Sequence, residues 1–210
     1  MLGKNPIRKP IEGDGTDLEV KEIYSTIQGE GLLAGIPAIF IRLGGCNLAC
    51  SFCDTEFESF KIMKLHEILS EVKNGREKLV VITGGEPFRQ PIELLCSELL
   101  NRGYQVQIET NGTLYRPVDK RVMIICSPKY NTKIKKEILE RAAALKFIIS
   151  AENRNYTEVS NTGYNVPIYV QPMDEYDEIK NKKNLDLAIK LSRENGYRLS
   201  LQIHKILGLP

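Results

Sequence analysis

Three of the five cysteines in this 210-residue chain fall within eight consecutive positions, as Cys46-x3-Cys50-x2-Cys53. At that spacing one loop can curl its thiolates around a compact metal centre. Soft thiolates suit iron, and three of them match three corners of a cubane iron–sulfur cluster. A structural zinc wants a fourth protein ligand; the nearest histidine, His66, sits in a helical pattern. On spacing alone a zinc knuckle, or a disulfide pair with a spare thiol, stays open. In the cluster reading the missing fourth ligand leaves one iron to an outside molecule, which makes the loop a reaction site.

The loop follows Ala38–Leu43, a buried-type strand with Arg42 near its end. A charge there needs a partner; it is either a solvent-pointing edge residue or a fork gripping a carboxylate. Strand patterns recur at 19–26, 78–82, 105–109, 121–126, 144–150, 166–170 and 197–203, and helical spacing at 64–73, 91–101, 135–141 and 179–195. The strand–helix–strand alternation predicts a mostly parallel sheet with right-handed crossovers. A complete eight-unit barrel takes about 250 residues. The shorter chain therefore predicts an α/β fold, a truncated, open (β/α) barrel of about six units. Residues 1–18 hold glycines and prolines without periodicity and read as a flexible N-terminal arm; residues 19–210 read as a single core domain.

Polar or glycine-rich clusters follow nearly every strand: the cysteine loop, Thr83–Pro87, Glu109–Gly112, Ser127–Lys129 and Gln171–Asp174. In a parallel α/β fold these all land on the C-terminal rim, where active sites gather. Glycine before Glu86 lets backbone approach a ligand closely, although a tight turn is the plainer reading of that stretch alone.

Composition narrows the class. Hydrophobic residues make up 42% and charged residues 27%, with 29 basic against 27 acidic side chains for a net charge of +2. That is ordinary for a globular domain and implies no basic face, so nucleic acid is not an expected partner. No stretch approaches a membrane span, no signal peptide is apparent, and odd, clustered cysteines do not make a secreted disulfide framework. A reducing cytoplasmic location is expected. Cys96 and Cys126, in apolar segments, read as small buried hydrophobes.

Cys46-x3-Cys50-x2-Cys53, with aromatic Phe52 before the last cysteine and Gly84–Gly85–Glu86–Pro87 after a later strand, resembles the radical S-adenosylmethionine (SAM) superfamily. Further stretches occur in a telling order: Tyr24–Gly31, Pro37–Leu43, Cys53–Asp54–Thr55, Val81–Pro87, Gln107–Thr110 and Gln202–Lys205. Together they resemble the 7-carboxy-7-deazaguanine synthase family over roughly residues 19 to 210.

The resemblance implies a lyase-type enzyme of queuosine and 7-deazapurine biosynthesis. It would convert 6-carboxy-5,6,7,8-tetrahydropterin to 7-carboxy-7-deazaguanine with release of ammonia. It implies a [4Fe-4S] cluster on Cys46, Cys50 and Cys53, with SAM on the open iron, and Mg2+ at the hydroxyl of Thr55. Ile27, Gln28 and Gly29 would line the pterin, Arg42 would pair with its carboxylate, and Thr83 would touch it. Glu109 and His204 are candidates for its polar edge, although a satisfied wall histidine is the plain alternative for His204. Phe52, Cys53, Asp54, Gly85, Glu86, Ser127, Pro128, Lys129, Gln171, Pro172, Met173 and Asp174 would hold SAM. The carboxylate of Pro210, expected straight after a strand, would reach the guanidine-like edge of the substrate. A homodimer and an electron donor such as flavodoxin are implied partners. Two alternatives are a radical SAM activating enzyme acting on a partner protein, which predicts a peptide groove, and a zinc-binding interaction module, which predicts a colourless protein.

Overall fold

The computed structural model describes residues 5–210; residues 1–4, part of the expected arm, lie outside the described residues. Strand β1 (Asp17–Ile27) pairs antiparallel with β2 (Pro37–Leu43), and a short edge strand β3 (Lys61–Lys64) adds antiparallel to β1. From β2 onward every pairing is parallel, through β4 (Leu79–Gly84), β5 (Gln105–Thr110), β6 (Met123–Cys126), β7 (Ala142–Ile149), β8 (Ile168–Pro172) and β9 (Arg198–Leu199). The sheet runs β3-β1-β2-β4-β5-β6-β7-β8-β9 and does not close. This is the open, mostly parallel α/β architecture that the alternation predicts.

Helices α1 (Leu65–Asn74), α2 (Glu93–Asn101), α3 (Lys136–Arg141) and α4 (Glu178–Asn195) connect the parallel strands. Because helices cover the sheet, its central strands are apolar on both faces: Leu79, Val80, Val81 and Ile82 of β4 are all buried. Helix α1 turns Ile68, Leu69 and Val72 to the core, and its Glu67 carboxylate accepts from the Lys64 amide at its start. Helix α4 begins where Asp177 accepts from the amides of Ile179 and Lys180 and stops at Gly196, left-handed at φ 71. Cys96 and Cys126 are buried, and burial pushes both thiols up to about 12.

Several segments differ from expectation. The strand predicted over 197–203 pairs only at Arg198–Leu199, and Ile203–Ile206 instead form a short helix, α5, so Pro210 follows a helical turn. Ser200 explains the early end: its hydroxyl donates to Gln171 and accepts from the Gly31 amide, bending the chain toward the β1–β2 connection. The link from β5 to β6 carries no helix, and β3 escaped notice because four residues carry little periodicity. The segment read as an arm takes a defined path where it is described: Asp17 and Leu18 open β1, and Ile7 bridges Cys46 in parallel.

Asn184 of α4 is fully buried and ties the helix to two rim loops. Its Nδ2 donates to the Met173 carbonyl at 2.9 Å, and its Oδ1 accepts from the Ala151 amide at 2.7 Å. Replacing Asn184 with Leu strands both backbone groups, an expected loss of about 1–3 kcal/mol. Urea midpoints check this: Asn184→Leu should fall well below wild type, and Lys182→Ala on the exposed face of α4 should not.

Candidate active site

The site begins at the C-terminal ends of β2 and β4. There the chain turns through Gly44–Gly45 and Gly84–Gly85, and the two turns touch backbone to backbone. The Gly85 amide donates to Leu43 O at 3.2 Å and the Glu86 amide to Gly45 O at 3.1 Å. A Cβ on Gly85 would sit 2.0 Å from Gly45 O, and one on Gly84, at φ +133, would sit 2.1 Å from Leu43 O. Only glycine fits either position. These contacts seat the cysteine loop over a cavity of about 300 Å³ that Cys46, Cys50 and Cys53 all line.

All three thiols are free. Burial pushes Cys46 up to about 12 and also raises Cys50, against the pull of Lys129 on the latter. Donors nevertheless point at the sulfurs: the Leu48 amide at 3.4 Å and Asn111 Nδ2 at 3.9 Å approach Cys46 Sγ, and Asn5 Nδ2 lies 3.9 Å from Cys53 Sγ. Such donors favour the thiolate, the form that binds metal. Among the described residues no three of His, Cys, Asp and Glu converge tightly enough to grip a single ion. A cubane cluster sets its thiolates on separate irons, so spaced thiols with N–H donors around a cavity fit it better than they fit zinc.

The remaining predicted residues distribute around the same mouth. Ile27, Gln28, Arg42, Phe52, Asp54, Thr55, Thr83, Gly85, Glu109, Ser127, Lys129, Gln171, Pro172, Met173, Asp174, His204 and Pro210 line the cavity. Arg42 is already engaged: Nε donates to Glu22 at 2.7 Å and Nη2 to the Tyr24 hydroxyl at 2.6 Å. The Thr55 hydroxyl donates to Asp54 at 3.2 Å, and Phe52 packs edge-on against Tyr156. Lys129 donates to the carbonyl and hydroxyl of Ser127, and burial holds its pKa down.

Three predicted residues stand back from the cavity wall. Gly29 packs under His204, whose Nδ1 would lie 2.1 Å from a Cβ there, and Gly29 O accepts from the Ile203 amide. Pro128 sits between two lining residues without lining the cavity itself. Glu86 is fully buried and accepts from Phe88 N, Thr110 Oγ1 and Asn111 N at 2.7–3.0 Å. It clamps the end of β4 to the end of β5, and burial pushes its carboxyl up to about 7.

The cavity also contains a group that sequence reasoning passed over. Lys146 of β7 is buried and donates to both Glu30 and Glu109, the latter at 3.0 Å. Gln107 donates to Glu109 at 2.7 Å and Gln202 to Glu30 at 2.9 Å. Burial opposes the Lys146 charge, yet the two carboxylates hold its pKa above the ordinary value. Burial likewise opposes the Glu30 charge, but Lys146 and Gln202 bring it down to about 2. Glu109, sharing that ammonium, is pushed up by burial. The signal was available: Lys146 is a lone charge in the apolar run Ala142–Ile149, the same oddity that singles out Arg42. Lys205 was missed as well; its Nζ bridges Asp54 and Asp174 at 2.8 Å each, joining α5 to the cysteine loop and the β8 loop.

Removing Lys146 leaves two half-buried carboxylates without their shared ammonium, an expected loss of up to about 3–5 kcal/mol. In the wild type Glu30 is held low, so its contribution is present above the unfolded carboxylate pKa and is lost only as pH falls toward about 2. In Lys146→Met the carboxylate pKa values rise instead, so stability should recover as pH drops from about 8 to about 5. Urea melts at both pH values check this. A Lys146→Met deficit that stays constant across the range contradicts the charge-pairing account.

A family model described as the radical SAM superfamily matches residues 40–200. The 7-carboxy-7-deazaguanine synthase of Rickettsia prowazekii is 54% identical over 225 residues, covering 100% of this chain and 96% of that protein. The Aquifex aeolicus protein of the same name is 36% identical, covering 97% and 99% respectively. Among solved structures, the crystal structure of QueE from Escherichia coli matches with a TM-score of 0.73 at 26% identity, covering 89% of this chain and 94% of that one.

Proposed function

The chain belongs to the radical SAM superfamily and, within it, to the 7-carboxy-7-deazaguanine synthases, and from that membership we propose how its cavity carries out the reaction. The substrate is 6-carboxy-5,6,7,8-tetrahydropterin, and the product is 7-carboxy-7-deazaguanine, formed by radical ring contraction with loss of ammonia. The observation that carries this reading is the convergence of Cys46, Cys50 and Cys53 with Arg42, Glu109 and Lys129 on one cavity.

Cys46, Cys50 and Cys53 would hold a [4Fe-4S] cluster, and Ser127, Lys129 and Gln171–Asp174 with Gly85 would hold SAM. When bound, cluster and SAM would together supply one-electron chemistry able to abstract a hydrogen atom from the substrate. The chain's own residues do the rest. Arg42, its guanidinium pre-set by Glu22 and Tyr24, meets the substrate carboxylate as a positioned fork. Glu30 and Glu109 share one ammonium, so acceptor capacity remains on the cavity floor for the N–H-rich edge of the pterin. Ile27, Gln28, Thr83, His204 and Pro210 complete that wall, and Gly29 contributes by letting His204 pack close. Glu86 acts through the β4 and β5 loops it clamps, without touching SAM.

Four finer assignments belong to the same proposal. Thr55, beside Asp54, offers oxygen to a Mg2+ ion, a hard cation that prefers it. The protein works as a homodimer in the cytoplasm, where five free thiols are compatible with reducing conditions, and no helix among the described residues is long and apolar enough to cross a membrane. Its electron comes from a small donor such as flavodoxin.

The test is an anaerobic assay with reconstituted protein, dithionite, SAM, Mg2+ and the pterin, followed by mass spectrometry. The deazaguanine product should appear with wild type and vanish with Cys50→Ala. SAM cleavage with intact pterin would overturn the substrate assignment. In the same assay Thr55→Ala should weaken the response of turnover to Mg2+; an unchanged Mg2+ titration removes Thr55 from that role.

A further inference from the structure

We propose that residues 5–11 form a strap that fixes the cysteine loop at both ends, and that Asn5 is a positioning residue whose side-chain amide raises the electron affinity of the cluster held there. The inference rests on the cluster reading above and extends it to a segment that neither spacing nor composition singles out.

The strap holds the start of the loop through backbone. Ile7 pairs with Cys46, and the Arg8 amide donates to Cys46 O at 2.7 Å. It holds the far end through side chains. Asn5 Nδ2 donates to Thr55 O at 2.8 Å and lies 3.9 Å from Cys53 Sγ, and Asn5 itself lines the cavity. The Arg8 guanidinium pairs with Glu58 at 2.6 Å and lies over the Phe60 ring. Two arginines anchor the base of the strap. Arg89 is fully buried; its carbonyl accepts from the Ile11 amide at 2.7 Å and its Nη1 donates to Lys9 O at 3.2 Å. Arg116 donates to Ile11 O. Arg89 also donates to Gly44 O, so one side chain ties the strap to the glycine turn beneath the cysteines.

Two of the cysteines thus face hydrogen-bond donors, and the third feels a buried cation. Cys46 has Asn111 and the Leu48 amide and Cys53 has Asn5, while the charge of the Lys129 ammonium pulls on Cys50 without a hydrogen bond to it. A one-electron reduction adds negative charge that spreads onto the sulfurs. Donors aimed at sulfur stabilise the reduced state more than the oxidised one and raise the potential. Asn5 does this from the strap, so cluster electronics and the seating of residues 5–11 are linked.

The test uses reconstituted full-length protein and three readouts: iron and sulfide content, potentiometric titration followed by electron paramagnetic resonance, and bleaching rate in air. Asn5→Ala should keep the iron and sulfide content. At a fixed ambient potential it should lower the reduced-to-oxidised ratio about threefold, or about 30 mV for a one-electron couple. Asn5→Asp, which keeps the shape but loses the donor and adds a negative charge, should lower it further; Asn5→Gln should restore part of it. Arg8→Ala, which loosens the strap without touching a sulfur, should bleach several-fold faster in air. Asn5 variants that titrate with wild type overturn the tuning role, and an unchanged Arg8→Ala bleaching rate overturns the strap. A wild-type protein that takes up no iron and sulfide overturns the cluster reading and this inference together.

Discussion

The contact between Gly44–Gly45 and Gly84–Gly85 is the constraint on which the site depends. Parallel β2 and β4 deliver two turns to the same rim, and these can touch only because neither carries a side chain at the point of contact. The resulting hydrogen bonds from Gly85 to Leu43 and from Glu86 to Gly45 make the cysteine loop a continuation of the sheet. Glu86 then passes that rigidity to β5 through Thr110 and Asn111, and Asn111 turns its amide back to Cys46. Glycine in this motif therefore serves packing between turns as directly as it serves access for a ligand.

Around that fixed point the buried charges divide into two kinds. Glu86 has three donors, no exposure and, among the described residues, no cation in hydrogen-bonding contact; it works as structural polar glue, with its carboxyl pushed toward neutrality by burial. Glu30, Glu109 and Lys146 share charge at the cavity surface, two anions to one cation, which leaves acceptors facing the space a substrate enters. Lys205 bridges Asp54 and Asp174, two residues of the cavity wall, and although burial opposes its charge these partners hold its pKa up at about 12.

Most of the parallel core was legible because strands covered on both faces read as apolar runs, as in Leu79–Ile82, and because Asp177 and Gly196 bound their helix by local rules. The cysteine loop was legible because its chemistry lies within one short window. What stayed hidden depends on partners distant in the chain. Asn5 meets Thr55, Arg8 meets Glu58, and Lys146 meets Glu30, none within a spacing that a local pattern can report. The strand expected over 197–203 failed for a related reason: Ser200 bonds Gln171 and Gly31, and tertiary contacts overrode an alternating apolar and polar stretch. The motif resemblance implies a cofactor contact for Glu86, and it does not carry the full burial of that side chain behind the glycine turn.

In the proposed reaction the cavity would set the hydrogen at C6 of the pterin beside the 5′ carbon of SAM. Turnover of pterin deuterated at C6, under anaerobic reducing conditions, tests that claim most directly. Deuterium should appear at the 5′ carbon of SAM or of 5′-deoxyadenosine recovered from the reaction. Product formed while the SAM-derived pool stays free of deuterium would contradict the geometry proposed for this cavity.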